Sequence, residues 1–344
     1  MTGRWRRIPG LAAVPPAAFM AVLAGLIALL ANAEASRADD INAEALARAV
    51  VRINATIQSD AQSARTLGSE REGTGVVIDG SGLIITIGYT VLEASQIQVT
   101  AGDGRGYPAE LVAYDQASGF GLVRAGLGFE ATPVRLGDSD ALTVGDAALV
   151  LSRHGTPPVQ PVRIVGKREF AGYWEYLLDE ALFTAPPVGA FNGAALIDRK
   201  GQLVGVGSLI VRDALPDRGG VPGNMFVPVS ALKPILADLL AYGRRQEPPR
   251  PWLGVTLREE QGRLLVDRVT PQGPAESAGV QAGDQIVGVG GQRFTSLADF
   301  YRKVWGLGPA GVAVPLEVMR GATLQPVTVP SGDRYRTLKL NPTF

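Results

Sequence analysis

One histidine and no cysteine narrow the chemistry open to this chain. Without cysteine there are no disulfides, thiol nucleophiles, thiolate zinc sites or iron–sulfur clusters. With His154 alone there is no two-histidine metal site, and every mechanism that needs an imidazole must use that residue. His154 lies in Ser152-Arg153-His154-Gly155, after an apolar run. A histidine base needs a nucleophile and an orienting group in reach. No motif marks either partner, and Ser152, Ser208 and Ser277 fit loop or cap positions. A second concentration of reactive types is Tyr173-Trp174-Glu175-Tyr176-Leu177-Leu178-Asp179-Glu180. It fits a strand packed on a barrel, or a cleft wall in which Tyr173 and Trp174 join Phe191. The chain predicts no metal and no cofactor.

The elements that must position these residues divide the 344-residue chain into more than one domain. Hydrophobic residues make up 46%, enough for sizeable cores, and Gly 43 with Pro 24 stays below the ~25–30% of low-complexity sequence. Lys+Arg and Asp+Glu are both 33, so no basic footprint points to nucleic acid. Arg4, Arg6 and Arg7 precede an uncharged stretch from Ile8 to Ala33, purely apolar from Ala17 to Ala31 and ending in a small-x-small site, Ala31-Asn32-Ala33. Residues 1–33 thus read as a cleaved export signal or as a membrane anchor, with the rest of the chain exported in either case. Residues 40–243 form the first domain. Short apolar runs rich in Val, Ile and Leu, such as Leu83–Thr86, Ala147–Leu151 and Leu203–Val206, give it the pattern of a β-sandwich or barrel. A closing helix follows, with Ser230 as N-cap and Gly243 past its end. Residues 244–251 are a Pro/Arg/Glu linker. In residues 252–340, strands over Trp252–Thr256, Leu264–Val269 and Gln285–Val289 precede a helix over Ser296–Trp305, with Leu297, Phe300, Tyr301 and Val304 at helical spacing.

In that second domain, Pro274-Ala275-x-x-Ala278-Gly279-Val280-x-x-Gly283-Asp284-x-Ile286 resembles the core of a bacterial PDZ domain across thirteen positions. Trp252-Leu253-Gly254-Val255 sits where such domains carry a carboxylate-binding loop. Consecutive N–H groups at a glycine turn form an anion nest, beside which a peptide C-terminus adds as a strand. The resemblance implies a peptide site at Trp252, Leu253, Gly254 and Val255. Leu253, Val255, Phe300 and Val304 either line the pocket for the last side chain or serve only as core.

An exported β-domain, a helix, a linker and a PDZ domain together resemble the HtrA/Deg family of trypsin-like serine proteases. Gly73-Thr74-Gly75-Val76-Val77-Ile78 is similar to the family's G-S-G-V-V-I opening, Gly82-Leu83-Ile84-Ile85-Thr86 to the strand before its catalytic His, and Phe226-Val227-Pro228-Val229 to the segment before its closing helix. The fold implied is mainly β, a trypsin-like double β-barrel followed by PDZ. In this register the triad His, Asp and Ser positions hold Tyr89, Gly119 and Asn192, at intervals of 30 and 73 residues close to the family's. An amide cannot attack as an alkoxide, a phenol titrating near ~10 is a poor base at neutral pH, and glycine supplies no carboxylate. Ala190 also replaces a glycine in the nucleophile loop, where an unusual backbone angle is expected.

The residues therefore favour an exported, proteolytically inactive HtrA/Deg-like protein, a pseudoprotease. It would bind peptides or unfolded protein C-termini through PDZ and act as a chaperone or as a regulator of an active protease relative. The alternative, which rests on fold, is a serine endopeptidase of envelope quality control with a non-standard site. The resemblance further implies a periplasmic location, soluble or tethered to the inner membrane, and a homo-oligomer, the trimer common in the family.

Overall fold

The computed structural model describes residues 42–130, 133–216 and 219–340. The expected signal or anchor over residues 1–33 lies outside them. After a helix over Ala43–Ala49, the first domain continues with β1 (Val50–Ile57), β2 (Glu70–Val77), β3 (Leu83–Ile87), β4 (Ala94–Thr100), β5 (Gly106–Tyr114) and β6 (Phe120–Ala125). They close into a barrel in the order β1-β2-β3-β6-β5-β4. A second closed barrel, β10-β11-β12-β9-β8-β7, is made of β7 (Ala147–Leu151), β8 (Val159–Gly172), β9 (Tyr176–Ala185), β10 (Ala195–Ile197), β11 (Leu203–Leu215) and β12 (Val221–Pro228).

The burial of the strands explains their sequences. All five residues of β3, Leu-Ile-Ile-Thr-Ile, are buried. A strand covered on both faces reads as a continuous apolar run rather than an alternation. Each barrel has its own filling, Ile53, Val77, Ile84 and Val123 in the first and Val150, Ile164, Leu182 and Phe226 in the second. A third apolar cluster is shared. It joins Val50, Val76, Ile85 and Phe120 of the first barrel to Leu149, Leu178, Phe183 and Met225 of the second. Closed barrels leave no sheet edge to pair with neighbours, so it is this seam that fixes them against each other.

The helix after β12 starts later than the sequence suggests. Ser230 lies in a 3₁₀ turn, Val229–Ala231, and the α-helix runs Leu236–Tyr242. Pro234 disfavours helical backbone at the residue before it, so the helix begins beyond it. Ser230 instead bonds Ser139 across the domain. Gly243, at φ 70°, ends the helix in the left-handed conformation expected.

The C-terminal domain is a five-stranded sheet in the order β13-β14-β15-β16-β17, with β13 (Val255–Glu260), β14 (Arg263–Val269), β15 (Gln285–Val289), β16 (Ala313–Arg320) and β17 (Thr323–Pro330). The helix Leu297–Gly306 is capped by the Ser296 hydroxyl, which accepts from the Asp299 N–H at 3.1 Å, and buries Leu297, Phe300, Tyr301 and Val304. The interval between the domains is packed as well. Arg245 donates to both carboxylate oxygens of buried Asp115, at 2.9 and 2.8 Å. Among the described residues no helix is long and apolar enough to cross a membrane.

Candidate functional site

Tyr89, Gly119 and Asn192 converge at the seam between the barrels. Tyr89 belongs to a one-turn helix, Gly88–Val91, directly after β3. Its hydroxyl lies 3.0 Å from Asn192 Oδ1 and 2.6 Å from the Ser208 carbonyl oxygen, donating its one proton between them. Burial pushes the phenol well above its ordinary range, so it stays protonated and is no base at neutral pH. Gly119 adjoins this turn through its carbonyl, which accepts from the Gly88 N–H at 2.7 Å. It sits at φ 82°, and a Cβ there would come within 3.1 Å of the Tyr176 hydroxyl. Tyr176 donates to the Ser118 carbonyl at 2.6 Å. Tyr176 thus packs where a side chain at position 119 would begin, and the backbone at 119 has a conformation that L-residues seldom adopt.

The Asn192 loop is pinned between β2 and β11. The Thr74 N–H donates to the Asn192 carbonyl at 2.8 Å, and the Gly193 N–H to the Gly207 carbonyl at 2.8 Å. The left-handed residue of the loop is Gly193 (φ 71°) and not position 190, which corrects the expectation for Ala190. At Gly193 a Cβ would fall 2.0 Å from the Thr74 carbonyl oxygen, so only glycine fits. The arrangement sets a phenol and an amide in mutual hydrogen bonding. It contains no activated hydroxyl, imidazole or carboxylate.

His154 does have hydroxyl partners that no motif announced. Its Nδ1 is 3.0 Å from Thr74 Oγ1 and 3.2 Å from Ser152 Oγ. Both hydroxyl residues are fully buried, and Thr74 also accepts the Arg153 N–H at 3.0 Å. Burial, with the nearby Arg52 charge, lowers the imidazole to about 4. Among the described residues no carboxylate bonds the ring. The cluster reads as a neutral packing hub joining β2 to the 152–155 loop.

The C-terminal domain shows a chemistry that the sequence only outlined. The N–H groups of Leu253, Gly254 and Val255 all point at one carboxylate, that of Glu175. Leu253 donates to Oε2 at 2.8 Å, and Gly254 and Val255 donate to Oε1 at 2.8 and 3.0 Å. Gly254, at φ 80°, turns the three groups to one side. Burial raises the Glu175 carboxyl, and the three N–H bonds oppose that rise. Leu253, Val255, Phe300 and Val304 are buried together in one apolar cluster, which Leu177 of the second barrel enters. Trp252 is buried too and bridges to Gly332. Tyr176 to Glu180 lie in barrel strand β9, as the strand reading expects, but Tyr173 to Glu175 form neither a barrel strand nor a cleft wall beside Phe191. They are the turn of the β8–β9 hairpin, laid against the C-terminal domain. Glu175 was missed because its partners lie 78 to 80 residues away in sequence.

Known proteins match this architecture. Residues 73–206 match the model of a trypsin-like peptidase domain, and residues 251–330 that of a PDZ domain. The periplasmic serine endoprotease DegP of Salmonella typhimurium is 28% identical over 260 residues, covering 72% of this chain and 54% of the relative. DegP of Escherichia coli is 27% identical with the same coverage, so the chain spans about half the length of these relatives. The putative serine protease HhoA of Synechocystis is 28% identical over 75% of this chain and 70% of its own length. Among solved structures, the HtrA-type protease AlgW with a tripeptide superposes with a TM-score of 0.50 at 21% identity, covering 84% of this chain and 94% of AlgW. The serine endoprotease from Yersinia pestis gives 0.51 at 21%, covering 87% and 99%. At such identity the structures show the fold alone.

Proposed function

We propose that the chain, a trypsin-like peptidase domain followed by a PDZ domain, is an exported, non-hydrolytic protein of the HtrA/Deg type that recognises peptide C-termini. The observation that carries recognition is the set of three consecutive N–H groups closing on a carboxylate at 2.8–3.0 Å. A free peptide C-terminus presents the same two oxygens, and β13, at the sheet edge, offers a strand to pair with. Loss of hydrolysis rests on Tyr89, Gly119 and Asn192, whose side chains supply none of the three groups the reaction uses. Binding without cleavage suits a holdase or a regulator of an active relative. Export is supported by the periplasmic relatives and by the basic, then apolar, N-terminal sequence.

The test is calorimetry with one apolar-ended peptide, prepared as the free acid and as the amide. The free acid should bind and the amide should not. Gly254→Ala, which forces a Cβ to 3.2 Å from the Trp252 ring at φ 80°, should weaken the acid by about tenfold or more. Equal affinity for acid and amide would remove the basis for C-terminal recognition. The endopeptidase reading keeps one supporting observation, the Thr74 and Ser152 hydroxyls at His154 Nδ1. Both are buried without a carboxylate to orient the ring.

A further inference from the structure

The carboxylate loop of the PDZ domain is already filled, and the way it is filled follows the geometry of a ligand. An added strand bonds every second residue of the edge it joins. On β13 the outward N–H of Val255 goes to the Glu175 carboxylate, and that of Leu257 goes to the Tyr173 carbonyl at 2.8 Å. Tyr173 stands two residues before Glu175, the offset an added strand needs. Leu177 brings an apolar side chain into the cluster of Leu253, Val255, Phe300 and Val304. The β8–β9 turn thus supplies the carboxylate, the strand bond and the apolar side chain that a C-terminal peptide would bring.

The PDZ helix grips the same turn. Tyr301 Oη accepts from the Glu175 N–H at 3.1 Å and donates to the Gly172 carbonyl at 2.8 Å. Arg334 donates to the Trp174 carbonyl at 3.0 Å. Against these bonds stands strain, since Glu175 is a non-glycine residue at φ 60°, in the left-handed region that L-residues seldom adopt. Alongside Tyr173 a groove of about 710 Å³ stays open between β13 and the first turn of the helix, lined by Thr256, Leu257, Arg258, Ser296, Leu297 and Ala298. An incoming chain has room to settle there before it reaches the carboxylate loop.

We propose that Glu175 is an internal ligand of the PDZ domain, so that a protein C-terminus binds by displacing the β8–β9 turn. The inference rests on the peptide recognition proposed above and adds its regulation. Displacement reaches further than the groove, because Tyr176, next in sequence, is bonded to Ser118 and packed on Gly119. Peptide binding thereby pulls on the seam between the barrels.

The experiment measures anisotropy of a labelled apolar-ended peptide, as acid and as amide, with the full chain and with Glu175→Gln and Glu175→Ala. It is paired with amide exchange at Leu253, Gly254 and Val255. Removing the internal competitor should tighten the acid by about tenfold or more and speed exchange at the three amides. Tyr301→Phe, which loosens the turn without touching the nest, should shift both in the same direction by less. Equal affinity and equal exchange in wild type and both Glu175 variants overturn the internal ligand. Faster exchange with no preference for acid over amide supports the internal ligand and overturns peptide recognition instead.

Discussion

At the scale of single residues, Tyr89 ties the two barrels together at their seam. Its proton serves Asn192 Oδ1 and the Ser208 carbonyl. Tyr89→Phe leaves those acceptors without a donor in a desolvated place and should cost about 1–3 kcal/mol in urea unfolding. His154 gives a cleaner test, because it is the chain's one histidine and so gives one imidazole resonance. An NMR titration should place its midpoint near 4 and not near 6.5. Above pH 6.5 folded and unfolded chains both carry the neutral ring. As pH falls towards 4 the unfolded chain takes a proton that the folded one refuses. Stability from this group is therefore full above 6.5 and declines by at most about 3 kcal/mol as pH falls through that window. His154→Gln should flatten that part of the profile, and a midpoint at 6.5 would contradict the packing role.

At the scale of elements, the β3-to-Tyr89 turn, the Gly119 turn and the Asn192 loop were each visible as departures from a known pattern. The seam that brings them together was not, since it depends on long-range pairing of twelve strands. The PDZ core was legible because eight motif residues fall at fixed spacing within thirteen positions. β12, Val-Pro-Gly-Asn-Met-Phe-Val-Pro, was legible only at its end, since two prolines and a glycine break the alternation that marks a strand. The hairpin turn was misplaced for a different reason. Its aromatic and acidic residues suit a barrel strand, and their true partners come from another domain. The structure also changes what restoration requires. Gly119→Asp forces a side chain into a left-handed position against Tyr176, at a cost of about 1–2 kcal/mol before the contact is counted. Tyr89→His, Gly119→Asp and Asn192→Ser together should lower the midpoint of unfolding and still give no labelling by a fluorophosphonate probe.

At the scale of the whole molecule, several attachments among the described residues hold the PDZ domain to the barrels. They include the Asp115–Arg245 pair, the Glu175 turn, ion pairs from Arg302 of the PDZ helix to Glu169 and Asp179 of the β8–β9 hairpin, and a C-terminal segment in which Tyr335 accepts the Gln116 N–H and the Lys339 N–H donates to Glu93. Arg245→Met leaves the Asp115 carboxylate buried and short of its partner, which should destabilise the chain by about 3 kcal/mol in denaturant unfolding. The same loss should make the PDZ domain easier to release, read as faster amide exchange at Leu253–Val255. These attachments bear on the central proposal, a protease framework that serves binding rather than cleavage. The most direct measurement is turnover of a fluorescent unfolded protein by the full chain, with and without a saturating apolar-ended peptide. The account predicts no turnover above buffer in either condition. Turnover that disappears in Asn192→Ala or His154→Ala would contradict it.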